Sequence, residues 1–135
     1  MREIKWIVVH CTATPQNTTV ESIQNYWKKN LGWKSPGYHR LIDPSGRIHI
    51  LSEYNKPTNG VAGYNANSVH ISYIGGVEGK KAVDNRTEAQ KATMLDLLKE
   101  LKRLYPNAKI QGHRDFPKVK KACPSFDAKA EYSNL

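Results

Sequence analysis

Residues 4–14 read IKWIVVHCTAT, and the change of character along this stretch decides how the rest of the chain assembles. Ile4 to His10 is mostly apolar and β-branched, the composition of a strand buried in a sheet. It runs directly into a turn rich in Thr, Pro and Asn, TATPQNTT at 12–19. A buried strand needs elements to cover it, and the next segment supplies one. Thr18 and Glu21 have capping-box spacing for a helix reaching about Lys29. Val20, Ile23, Tyr26 and Trp27 fall on one face of it, and Leu31-Gly32 ends it.

Further out the same alternation repeats. Residues 38–42 and 47–51 flank the turn Asp43-Pro44-Ser45-Gly46, a hairpin signal. Residues 55–68 (NKPTNGVAGYNANS) read as a long surface loop, of a length that in a compact domain is usually functional or mobile. Residues 69–74 form another strand, closed by Gly75-Gly76. Thr87 and Gln90 cap a second helix with an apolar stripe at Met94, Leu95, Leu98, Leu101 and Leu104, and Pro106 stops it. Residues 108–111 make a short strand leading to His113. Residues 114–126 read as irregular, with a last short helix after Ser125 or Asp127. Strands interleaved with two amphipathic helices predict an α/β fold, a single mixed β-sheet flanked by helices. With no repeat and no linker, residues 1–135 are expected to be one domain.

Composition narrows the class. The 135 residues suffice to bury a core without staples. Three tryptophans, seven tyrosines and a hydrophobic fraction of 39% argue against disorder. No apolar run approaches the length of a membrane helix. The apolar stretch Trp6–Val9 is too short for a signal-peptide core, so synthesis in the cytoplasm is expected. The net charge of +9 suits anionic polymers, nucleic acid or membranes without choosing among them. Lys118, Lys120 and Lys121 carry its densest part. No zinc-finger, helix-turn-helix or RNP pattern accompanies it, so nucleic acid is not the expected partner.

Five histidines and two cysteines carry the chemistry worth weighing. His49 and His70 sit inside strands and read as ordinary strand residues; His39 should point away from Tyr38. His10 and His113 each end a strand just before a loop, where ligand-binding groups of open sheets gather. Cys123 lies ten positions after His113 in a loop stiffened by Pro117 and Pro124. Two imidazoles and a thiolate would leave a fourth tetrahedral position open, as in a catalytic zinc site. Spacing alone leaves this beside the plainer reading of structural residues. Lys121, two before Cys123, projects to the same side of an extended segment and could stabilise an oxyanion there. Cys11 should face the core, and a disulfide to Cys123 would compete with metal binding.

HCTAT at 10–14, GYHRLIDPSGRI at 37–48, GYNANS at 63–68 and GHRDF…KKACPSFD at 112–127 resemble the zinc N-acetylmuramoyl-L-alanine amidases. The similarity is to the branch of small phage amidase-type lysozymes, and more distantly to the peptidoglycan recognition proteins. It spans residues 6–127 in family order. It implies that His10, His113 and Cys123 bind Zn2+ and that Tyr38 and Lys121 assist catalysis. It also implies that the amide between N-acetylmuramic acid and L-alanine of the stem peptide is cut. Peptidoglycan or muropeptides would be the partner, the protein a monomer without membrane insertion, acting on the wall after release or non-classical export, or on recycled wall fragments. A non-catalytic peptidoglycan-binding module is the alternative. Val61 stands where many relatives carry a polar residue, often His, which bears on substrate contacts.

Overall fold

The computed structural model describes residues 2–135. β1 (Trp6–Cys11) is an interior strand of the sheet, with Ile7, Val8 and Val9 wholly shielded from solvent. α1 (Val20–Asn25) continues through one wider π turn, Tyr26–Asn30. Its N-cap is Thr19, which accepts from the Ser22 amide, one residue later than the sequence pattern suggests. Thr18 is taken up by a turn closing onto the Pro15 carbonyl. With Ser22 at the third helical position, Glu21 does not complete the reciprocal box.

β2 (Arg40–Ile42) and β3 (Ile48–Ile50) form the expected hairpin, and β4 (Ser68–Tyr73) follows the long loop. β5 (Val77–Glu78) and β6 (Lys81–Ala82) make a separate small ribbon that the sequence pattern does not announce. Two-residue strands are too short for alternation to be visible. α2 (Glu88–Leu104) starts with the expected capping box, both halves formed between Thr87 and Gln90. β7 (Lys109–Gly112) and α3 (Ala128–Glu131), capped by Asp127, complete the chain.

The main sheet has the order β3-β2-β4-β1-β7. β2, β4, β1 and β7 are parallel, and β3 is an antiparallel edge, so the sheet is mixed as expected. Strand alternation gives its faces different characters. Ile7, Val9, Cys11, Ile42, Val69, Ile71 and Tyr73 pack with Met94, Leu97, Leu98 and Leu101 of α2. The other face presents Val8 and His10 from β1 and Ser68, His70 and Ser72 from β4; α1 covers part of it through Ile23 and Trp27, which pack with Leu41 and Ile74.

The stripe on α2 differs from expectation at its edges. Leu95 and Leu104 are 36% and 54% exposed, whereas Leu97 and Gln90 are buried. Gln90 is drawn inward because its amide nitrogen donates to the carbonyls of Ile42 and Ile74, each at 3.1 Å. A polar side chain thus ties the start of α2 to the ends of β2 and β4. The segment after Cys123 is anchored by buried Arg86. Its guanidinium pairs with Asp84 and Glu131 at 2.9 Å and lies 3.6 Å from the Phe126 ring centroid.

Candidate metal centre and its cleft

β1 and β7 run parallel with Val9 opposite Gly112, and the next residue after each is a histidine, His10 within β1 and His113 just past the end of β7. That register sets His10 and His113 side by side, ring centroids 4.9 Å apart. Cys123 arrives through the irregular loop, which folds back on its own start. The Arg114 amide donates to the Cys123 carbonyl at 2.9 Å, and the Cys11 amide to the Cys123 sulfur at 3.1 Å. Gly112 permits the approach: a Cβ there would fall 2.7 Å from Pro124 Cδ.

One donor atom from each of His10, His113 and Cys123 lies within 4.8 Å of the others. His10 Nδ1 is 3.8 Å from Cys123 Sγ. A tetrahedral zinc ion, with bonds of about 2.3 Å to sulfur and about 2.0–2.1 Å to nitrogen, holds two such atoms roughly 3.6 Å apart. The donors therefore fit a small divalent cation. Their electrostatics fit as well. Burial, then the charges of His70, His113 and Lys121, pushes His10 well below its ordinary range; burial and Lys121 lower His113. Both rings are neutral near pH 7, the state a metal requires. The hydrogen bond with Cys11, then burial, pushes the Cys123 thiol well up, so a cation would have to displace its proton.

The three donors open into a cleft of about 700 Å³. Ile23, Trp27 and Trp33 line it, together with Asn59 and Gly60 of the long loop. The tryptophans are 6.3 Å apart and stacked; the sequence pattern gives Trp27 a helix face but neither of them a place in a cleft. Only the fold brings the end of α1 over the sheet.

Tyr38 and Lys121 both line this cleft. The Tyr38 hydroxyl donates to the Cys11 carbonyl at 3.2 Å, and its ring lies 5.1 Å from that of His10. Burial, then the nearby Cys123, raises its pKa, so it remains a protonated donor. Lys121 is exposed and, like Cys123, lines the cleft.

Val61 does not face the cleft. It is 4% exposed and packs with Val8 and Phe116 beneath the loop. Cys11 lies in the core, and both thiols are free. His49 pairs with Asp43 at 2.9 Å, away from the donors. His39 is fully buried, its ring stacked 6.2 Å from that of His70, and it does not line the cleft. His70 is the residue that sequence reasoning undervalued: its Nδ1 lies 2.8 Å from His10 Nε2. Strand alternation puts it on the polar face, but only the register of β1 against β4, Val8 opposite His70, brings it to His10.

Residues 1–126 match the family model described as N-acetylmuramoyl-L-alanine amidase. The chain belongs to this amidase family. It is 37% identical over 131 residues to the endolysin of Klebsiella phage KP32, covering 95% of this chain and 85% of the relative. Among solved structures, the Ph2119 endolysin from a Thermus scotoductus MAT2119 bacteriophage superposes with a TM-score of 0.80 at 27% identity. That match covers 92% of this chain and 79% of the other. The peptidoglycan recognition proteins LCa and LCx of a complex with tracheal cytotoxin share the fold, with a TM-score of 0.81 at 23% identity. There the match covers 100% of this chain and 84% of the other. The amidase is therefore an enzyme with the amidase and peptidoglycan-recognition-protein fold. Among its described residues, no helix is long and apolar enough to cross a membrane.

Proposed function

We propose that this amidase hydrolyses the bond between N-acetylmuramic acid and L-alanine of the peptidoglycan stem peptide, using a zinc ion held by His10, His113 and Cys123. The observation that carries the reading is the convergence of those three donors, within 4.8 Å, on an open cleft. Structural zinc sites close all four positions, whereas a three-residue set leaves one for reaction. When bound, zinc supplies a Lewis acid that polarises a carbonyl and acidifies water.

The chain's own residues supply the rest. Lys121, which lines the cleft with Cys123, stabilises the negative charge that develops on the amide oxygen. Tyr38 keeps its proton and offers a hydrogen bond to the reacting centre in place of the one it makes to Cys11. Among the described residues no Asp or Glu lines the cleft. The attacking water supplies the proton for the leaving amine, carried by Lys121 or by solvent. Trp27 and Trp33 give an apolar wall that excludes water and seats the substrate.

The same fold can serve as a binding module. Cys123, Lys121 and Tyr38 gathered in one cleft favour the enzyme. The net charge of +9 suits approach to anionic wall polymers. All three donors and the cleft come from one chain, so a monomer suffices. The relative from phage KP32 is named an endolysin, and by analogy the protein acts on the wall once released from the cell.

The test is digestion of purified muropeptides with mass analysis of the products, before and after chelation and zinc return. Free intact stem peptide with a lactyl-bearing sugar, lost on chelation and restored by zinc, is the expected result. Cleaved sugar linkages, no cleavage, or full activity after exhaustive zinc removal would overturn the reading.

A further inference from the structure

Behind His10 runs a line of hydrogen bonds whose polarity can be worked out from one end. Asn65 Oδ1 accepts from two backbone amides, Gly60 at 3.1 Å and Val61 at 2.8 Å. Amides only donate, so the atom they meet is the carbonyl oxygen. The same oxygen lies 2.8 Å from His70 Nε2, which must therefore carry a proton. A neutral imidazole has one N–H, which leaves His70 Nδ1 as an acceptor. That nitrogen is 2.8 Å from His10 Nε2, so His10 donates from Nε2. His10 Nδ1 is then bare, and it is the atom that faces Cys123 Sγ at 3.8 Å.

We propose that His70 and Asn65 are positioning residues that hold His10 in the tautomer and orientation with Nδ1 free for a metal. This role rests on His10 being a metal ligand. Two further features brace the relay. The His70 backbone amide donates to His39 Nδ1 at 3.0 Å, fixing β4 at this residue. Gly60 lies directly against the His70 ring: a Cβ at position 60 would come within 2.3 Å of Nδ1. The loop thus closes over His70 only because residue 60 lacks a side chain. Outer partners of metal-bound histidines commonly act in this way, fixing the ring and raising its basicity.

In metal-free protein, two-bond 1H–15N spectra are expected to show His10 protonated on Nε2. His70→Leu keeps bulk but removes the acceptor. It is expected to mix the His10 tautomers and to weaken zinc binding roughly 10–100-fold in a chelator competition. His70→Asn, which restores an acceptor near the Nδ1 position, is expected to recover most of that affinity. Gly60→Ala displaces the His70 ring from the loop side and is expected to weaken zinc binding too, which keeps the role testable if His70→Leu does not fold. Wild-type zinc affinity and an unchanged His10 tautomer in either weakening variant would overturn the positioning role while leaving the metal site intact. A wild-type protein with no zinc affinity would overturn the underlying metal reading, an outcome visible before any substitution is made.

Discussion

The two faces of the one sheet have opposite designs. The face toward α2 is close-packed and apolar, with Val69, Ile71 and Tyr73 of β4 fully buried against Met94, Leu98 and Leu101. The opposite face of the same strand carries Ser68, His70 and Ser72, equally buried but polar. Buried polar groups are costly unless each finds a partner. His70 and Ser68 find theirs in Asn65, His10 and the Tyr64 carbonyl. One face supplies cohesion, and the other spends some of it to hold chemistry in a fixed geometry. Substitutions on the two faces should therefore separate activity from stability.

The largest separation is expected at Cys123. Cys123→Ser should abolish stoichiometric zinc and lower muropeptide hydrolysis by roughly 10³-fold or more, since a Lewis-acid metal contributes several kcal/mol at tenfold per 1.36 kcal/mol. The urea midpoint of the metal-free protein should barely move. Parallel zinc analysis, kinetics and unfolding check this; a large stability loss without zinc would erase the contrast.

On the other face, Leu98→Ala removes a fully buried side chain facing the sheet. About 2–5 kcal/mol of stability should be lost, with zinc content and kcat/KM at low temperature retained. A collapse of zinc affinity here would show the faces to be coupled.

Acid sharpens the comparison, because the buried histidines belong to the polar side. Burial foremost pushes His39 to about 4 and His70 to about 3, from an ordinary 6.5. Between those values and 6.5 the unfolded chain binds protons that the folded chain does not. Stability is then complete above pH 6.5 and falls as pH drops toward 4, by at most about 1.4 kcal/mol per unit for each group. Urea unfolding at pH 7, 6 and 5 measures the slope, and His39→Gln should reduce it.

The smallest effect belongs to the cap of α2. Thr87→Ala breaks one half of the capping box and should cost about 1 kcal/mol, without changing zinc binding. Differential scanning calorimetry resolves a change of that size.

Much of the cohesive face was legible in the sequence. Apolar periodicity located β1, β4 and α2, and Thr87 with Gln90 marked the helix start. The misses follow from physics that periodicity does not carry. Leu95 and Leu104 obey the helical pattern yet lie outside the sheet's footprint, while Gln90 is buried for its hydrogen bonds. Thr18 and Thr19 are equivalent as caps until the turn to Pro15 occupies one of them. Val61 looked like a gap in the substrate loop until its side chain proved to pack against Val8 and Phe116.

The candidate site divides the same way. His10, His113 and Cys123, with Lys121 beside them, were candidates from strand ends and spacing, and Tyr38 was named by the resemblance to the amidase family. The sequence alone thus determined the α/β class and named His10, His113 and Cys123 as a candidate donor set. Tertiary structure alone decided which nitrogen of His10 faces the sulfur, that His70 stands behind it, and that two tryptophans wall the cleft. Those facts depend on the register between strands distant in sequence and on a loop closing over Gly60. Such contacts arise only when separate segments are packed together, and no local pattern records them.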